Sequence, residues 1–215
     1  MGTHLVNEAT WRALAAEAER RSESARPAHD FSHVLRVVHN ARQIARAVGA
    51  DEAACHLAAL LHELFNYPKD HPESHLSGDV CAEHARALLE AHEVDGELIR
   101  AVCEAIRDHA FSKGAAPKSL VAKVLQDADR LDAIGAIGIA RCMATSSEMR
   151  RPFYAPHDPF CVNRSPNDKE WGIDHFFTKL LKIPERLHTE PARRMAEERM
   201  QTMRSFLSAL EREIS

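Results

Sequence analysis

The chain has no run of about 18 consecutive apolar residues, so no membrane-spanning helix is expected. Residues 1–17 lack the apolar centre of a secretory signal. The five cysteines, Cys55, Cys81, Cys103, Cys142 and Cys161, are odd in number, scattered and without a CxxC pair. They read as reduced thiols of a cytoplasmic protein, three of them as small core residues, rather than as a disulfide framework. Positive charge is not in excess either. Lys and Arg number 28 against 32 Asp and Glu, a net charge of -4, and the pI is near 6.4, which argues against a nucleic-acid binder that works through a basic field. Neither a GxxxxGK[ST] phosphate loop nor a Ser-centred nucleophile elbow occurs, so neither chemistry has support. No useful segment alternates with the period of a strand. The expectation is an all-α protein of 215 residues, and 45% apolar content is enough to bury a core as one domain.

What the chain does have is helical spacing and 14 histidines. Thr10 can cap a first helix to about Ala25. Asp30 is a cap and Gly49 a stop for a second, in which Val34, Val37, Val38, Ala41, Ile44, Ala45 and Val48 hold one face. His33 stands four before Val37 and eight before Ala41, so it points inward; His39 shares the outward face with Arg36, Gln43 and Arg46. Asp51 caps the next helix, 53–64, which is apolar nearly all round and therefore central. A loop at 66–77 carries Lys69, His71 and His75. A fourth helix, 78–92, places Val80, His84, Ala87, Leu88 and Ala91 on one stripe, and a fifth, 95–109, runs Leu98, Val102, Ala105 and Ile106 into His109. Residues 112–117 form a turn. Ser119 opens a sixth helix into Asp127, Asp129, Arg130 and Asp132, and Gly135 and Gly138 beyond it suggest close helix packing. Residues 149–171, with four prolines, Phe153, Tyr154 and Phe160 but no period, read as a long loop of the kind that serves as a lid. A short helix over 174–181 and a final one from about Thr189 complete the chain.

Three groups on separate elements have metal-ligating chemistry: His33, the pair His62-Glu63, and the carboxylates around Asp129. Imidazoles and carboxylates with open positions suit Mn, Fe, Zn, Ni or Mg. Burying Asp127, Asp129 and Asp132 without a cation is costly; exposure, or pairing with Arg130, is the plainer alternative. His62 and Glu63 can equally be ordinary polar residues on the last turn of a core helix. His84 reads as a core histidine, His29 and Asp30 as helix entry and cap, and His56 as a surface residue. His109 is open between the site and the core.

His33, then His62-Glu63 after an apolar helix, then Asp129 in Asp127-Ala128-Asp129-Arg130-Leu131 together resemble the H…HD…D signature of the HD-domain metal-dependent phosphohydrolases. Residues 29–33 and 126–136 are similar to those of a small bacterial single-domain subgroup that includes nucleotide pyrophosphohydrolases. The resemblance covers residues 27–191. It implies one HD-type helical bundle over 1–215, with a core at about 27–145, a loop at 149–171 and C-terminal helices over 174–214. It also implies that His33, His62, position 63 and Asp129 hold a divalent ion, Mn²⁺ first, with Mg²⁺, Fe²⁺, Ni²⁺ or Zn²⁺ as alternatives. The expected partner is a small phosphate compound, a nucleotide, and neither nucleic acid nor membrane; oligomeric state is left open. The favoured reaction converts a nucleoside triphosphate to monophosphate and pyrophosphate rather than dephosphorylating a monophosphate. Glu63 and Asp129 would act on the water, while Lys69, His109 and Arg130 meet phosphoryl charge, with Arg150, Arg151 and Arg164 of the loop offering more. Position 63 departs from the signature, which has Asp where this chain has Glu. One methylene displaces the carboxylate by about a bond length, whereas metal–ligand distances tolerate about 0.2 Å. A catalytically weak or inactive metal- or nucleotide-binding protein is therefore the second expectation.

Overall fold

The structure, a computed structural model, describes residues 6–22, 30–68, 71–109 and 116–214. Among these residues there are nine α-helices, a few short 3₁₀ turns and no strand, so the chain is all-α as expected. No described helix is long and apolar enough to cross a membrane. The chain forms two compact units, Met1–Asp129 and Arg130–Ser215, and the boundary falls inside one helix.

The first unit contains α1 (Glu8–Ser22), α2 (Phe31–Val48), α3 (Glu52–Leu61), α4 (Ser77–Ala91), α5 (Gly96–Arg107) and most of α6 (Leu120–Asp132). The central helix is α3, against which α1, α2 and α5 pack. Its Ala54, Cys55 and the run 57–61 are all buried, as its uniformly apolar sequence dictates. Asp30 caps α2 by accepting from His33 N at 3.1 Å, and Gly49 ends it in the left-handed conformation at φ 67°. The inward face of α2 is the one its spacing predicts, His33 included. Asn7, rather than Thr10, caps α1: its Oδ1 accepts from Thr10 N at 2.8 Å, and the helix therefore starts at Glu8. The expected end near Ala25 lies outside the described residues.

The stripe expected on α4 is displaced by about one position. Ser77, Gly78, Cys81, Ala82, Ala85 and Leu89 are buried, whereas Val80, His84 and Leu88 are half-buried and Ala87 is exposed. Small residues are selected here because α4 lies close against α5. A Cβ on Gly78 would overlap the carbonyl oxygen of Arg107.

The second unit contains the end of α6, α7 (Gly135–Glu148), α8 (Asp174–Thr178) and α9 (Glu190–Ile214), with α7 packed on α9. Between α7 and α8 the chain is irregular but extensively hydrogen-bonded. Gly172 N donates to Pro152 O at 2.9 Å and Ile173 N to Phe153 O at 2.7 Å. Asp174 is fully buried and accepts from Arg164 Nη2 at 2.7 Å and from Asn167 N at 2.6 Å. Arg151 donates to the Asp168 carbonyl and to Ser146 Oγ. Arg164 and Arg151 thus hold the segment together, rather than being offered to a phosphate. Four cysteines are buried, one more than expected, and Cys161 is half-exposed; all five are free thiols.

The close approach of α4 and α5 gives an expected outcome of opposite sign at two glycines. Gly78→Ala should lower the unfolding free energy in urea by about 1–3 kcal/mol, because the overlap outweighs the gain of roughly 1 kcal/mol in helix propensity. Gly96→Ala, with nothing within 4 Å of its Cβ, should be neutral or stabilising.

Candidate metal centre

Four side chains from four different elements of the first unit meet in its interior. His33 comes from the inward face of α2 and is fully buried. His62 is the residue that stops α3, with φ -69° and ψ -15°, and is 1% exposed. His109 follows the C-terminus of α5 and is buried, and Asp129 lies in the last turns of α6. His33 Nε2 stands 3.5 Å from Asp129 Oδ1. The ring centroids of His33 and His62 are 5.3 Å apart, and those of His62 and His109 are also 5.3 Å apart. One ligand atom each from His33, His62 and Asp129 lies within 4.8 Å of the other two.

The way α3 ends explains how His62 is aimed. A helix leaves its last carbonyls without backbone partners, and His62 Nδ1 takes up one of them, donating to Ala59 O at 2.7 Å. A carbonyl only accepts, so Nδ1 carries the proton and Nε2 of the neutral ring is a lone pair. Cys81 Sγ donates to Leu61 O at 3.3 Å and to His62 O at 3.2 Å. These captures close α3 at Leu61, three residues before the end that apolar continuity predicts. His109 repeats the arrangement at the end of α5, with Nδ1 donating to Ile106 O at 2.6 Å.

The electrostatics favour a cation. Burial pushes the His62 pKa down to about 4, with His109 and His33 adding to the fall and Glu63 and Asp129 opposing it, so the ring is neutral near pH 7. Its buried Nε2 has no hydrogen-bond partner among the described residues. Burial raises the pKa of the Asp129 carboxyl, but the imidazoles of His33, His62 and His109 outweigh this and hold it below the ordinary value, as an anion. Neutral imidazole nitrogens and an ionised carboxylate are the protonation states that a divalent ion requires. Donors bound at about 2.0–2.2 Å from one ion lie at most about 4.4 Å apart; His33 Nε2 and Asp129 Oδ1 at 3.5 Å are inside that limit, and the bound of 4.8 Å on the whole group exceeds it by only a few tenths of an ångström. The residues present fit a divalent ion.

The remaining candidates are placed differently. Glu63 is 14% exposed, and its Oε1 is 4.0 Å from His62 Nε2, at the edge of the group rather than within it. Arg130 Nη1 donates to Arg186 O at 2.6 Å and meets His188 Nε2 at 2.8 Å, partners that belong to the second unit. Lys69 lies outside the described residues. His84 is not in the core: it is half-buried, bonded through Nδ1 to Arg21 Nη1 at 2.7 Å and stacked on Phe65. His56, expected at the surface, is half-buried and stacked on Trp11 at 4.1 Å. Two buried amides went unremarked in the sequence. Asn40 donates to Ala128 O at 3.1 Å, and Gln126 to Asp108 O at 2.7 Å. The only sequence signal for Asn40 is its position seven residues after an inward histidine, on the same helix face.

Comparison with known proteins agrees with this geometry. The HD domain family matches residues 30–134, the stretch that carries all four site residues. The chain is 31% identical over 186 residues to the uncharacterised protein YpgQ of Bacillus subtilis (strain 168), covering 86% of this chain and 84% of that protein. A crystal structure of YpgQ in complex with ADP superposes with a TM-score of 0.74 at 29% identity, covering 94% of this chain and 97% of that one. An HD-superfamily hydrolase from Bacillus thuringiensis superposes with a TM-score of 0.73 at 30% identity, covering 94% and 95% of the two chains. HD domains bind divalent metal ions, and the buried His33 and His62 with the half-buried Asp129 are a possible site for one. On the matched profile, the relatives and the convergence of these side chains, the chain belongs to the HD-domain superfamily, whose solved members similar to it include hydrolases.

Proposed function

We propose that this protein is a divalent-metal-dependent phosphohydrolase acting on a nucleotide, with conversion of a nucleoside triphosphate to monophosphate and pyrophosphate as its reaction. The observation that carries the reading is the group of buried His33 and His62 with half-buried Asp129, with His62 neutral and its Nε2 lacking a partner among the described residues. Nucleotide as the substrate class is supported by the ADP complex of YpgQ.

In this reading His33, His62 and Asp129 hold the ion, Mn²⁺ first, with Glu63 completing or flanking the set. When bound, the ion would acidify a water molecule and polarise a phosphoryl oxygen. The protein's own part is to orient the reactants. Asp129 and Glu63 would accept hydrogen bonds from the water, and one of the two would take its proton as the water oxygen bonds to phosphorus and the bridging P–O bond breaks toward pyrophosphate. His109 meets phosphoryl charge through Nε2. Because Nδ1 is committed to Ile106 O, that contact requires the protonated ring; the neutral ring offers a lone pair and serves as an outer ligand instead. Lys69 remains a proposed phosphate contact. Arg130 Nη1 serves Arg186 O and His188 Nε2, so we assign that nitrogen no phosphate.

Elemental analysis of the purified protein should show about one equivalent of divalent metal, lost in His33→Ala and Asp129→Ala and retained in His39→Ala, whose ring is exposed and bonded to Gln43. Retention of metal by the first two variants would remove the site. Ion-exchange analysis of Mn²⁺ reactions should show pyrophosphate and monophosphate from a triphosphate. Orthophosphate released from a monophosphate, with triphosphates untouched, would reassign the enzyme as a nucleotidase.

A second reading, metal or nucleotide binding without turnover, is favoured by one observation: Glu63 lies at the edge of the group and not inside it. Metal-saturated assays of wild type and Glu63→Asp, run side by side, separate the two. If Glu63 is an adapted residue, the shorter carboxylate should lower the rate or metal affinity. A silent wild type beside an active Asp variant would establish the second reading.

A further inference from the structure

The backbone carbonyl immediately before each of three site residues is taken by a buried side chain from another helix. Asn40 of α2 donates to Ala128 O, next to Asp129. Gln126 of α6 donates to Asp108 O, next to His109. Cys81 of α4 donates to Leu61 O, next to His62, and to His62 O itself. Asn40, Gln126 and Cys81 are each at most 2% exposed. Burying a carboxamide on an otherwise apolar helix face is costly unless it is bonded, and the carbonyl that satisfies Asn40 lies 88 residues away in the chain.

Asn40 and Gln126, unlike Cys81, lie on helices that carry a site residue, but only Asn40 links the helices of two members of the group His33, His62 and Asp129. It lies seven residues after His33, close to two full turns, so both side chains leave α2 on the same face. Two attachments therefore join α2 to α6: His33 Nε2 at 3.5 Å from Asp129 Oδ1, and Asn40 Nδ2 at 3.1 Å from Ala128 O. The first would be mediated by a shared ion, and the second is a direct bond to the backbone one residue earlier. With the second in place, the distance between an imidazole and a carboxylate on separate helices is set before any ion arrives.

We propose that Asn40 is a positioning residue for the metal centre, fixing Asp129 relative to His33 through the Ala128 carbonyl. The proposal rests on the metal-centre reading above. In this role Asn40 acts through the Ala128 carbonyl and not as a ligand. Its effect should appear as affinity and ligand geometry, beyond any loss of fold stability.

The test uses Co²⁺ as the probe, followed by visible absorption, on the full chain. Asn40→Leu keeps similar bulk and removes the donor; Leu14→Ala in α1, a fully buried residue remote in sequence from the site ligands, is the control for general destabilisation. Unfolding of each apo protein in urea calibrates stability. Asn40→Leu should bind Co²⁺ about 10- to 100-fold more weakly than wild type, with an altered absorption spectrum at saturating Co²⁺, while Leu14→Ala retains the wild-type spectrum. If Asn40→Leu does not fold, Asn40→Ala, which adds no bulk, is read by the same criteria. Wild-type affinity and spectrum in the Asn40 variant, or a change no larger than that of Leu14→Ala, would overturn the proposal while leaving the metal centre standing. A wild type that binds no Co²⁺ would overturn the metal centre and this proposal together.

Discussion

The cost of burying imidazoles beside a carboxylate governs the first unit. An isolated buried charge is expensive, and an unbonded buried polar atom costs a substantial fraction of a domain's stability. The chain meets this cost partly by keeping His62 neutral, through burial, and partly by surrounding the Asp129 carboxylate with three histidines. It then spends helix ends on the rest. α3 and α5 each terminate one residue or so before a histidine, and in both cases the ring's Nδ1 takes a carbonyl three residues back. The orphan acceptors of a helix C-terminus and the spare donor of an imidazole satisfy each other. The same bond decides which ring nitrogen is left over for chemistry.

This arrangement explains why the site is built on helix ends and not in mid-helix. In mid-helix the carbonyls are already bonded, and the tautomer of a histidine must be fixed by a separate partner. It also bears on Glu63. The residue follows a terminated helix, where the backbone is no longer tied to the α3 ladder, so the additional methylene relative to Asp can be absorbed by the turn without unpacking the buried run 57–61. A longer carboxylate at this position is physically compatible with the fold, and its place at the margin of the group follows from its reach.

Much of this was legible in the sequence, and the parts that were not share a cause. α2 could be read because its signals are local: one apolar period, an Asp cap and a Gly stop, from which the inward aspect of His33 follows. The central position of α3 could be read from its composition. Its end could not, since the bonds that close it come from Cys81, about twenty residues on. The buried face of α4 was misread because Val80 and Leu88 outweigh Cys81, Ala82 and Ala85 in hydrophobicity, while the approach of α5 selects for small size. Asn40 was invisible as a polar residue on an apolar face whose partner is distant in the chain. The engagement of Arg164 with Asp174 was hidden in a segment without periodicity.

The arginine placements also constrain how a polyphosphate can be bound. The sequence suggests abundant cationic side chains for phosphate, yet Arg164 is bonded to Asp174, Arg151 to Asp168 and Ser146, and Arg130 to Arg186 and His188. The candidate centre itself contributes the negative charges of Asp129 and Glu63, on a chain whose net charge is already -4. A nucleoside triphosphate adds several more negative charges. Bringing these together in a partly buried site of low dielectric is repulsive unless a compensating positive charge is present. A divalent ion held by His33, His62 and Asp129 would supply it at the point where charge develops, which side chains committed to folding cannot do. In the proposed function, then, the same ion that balances the half-buried Asp129 carboxylate makes an anionic substrate tolerable to the site.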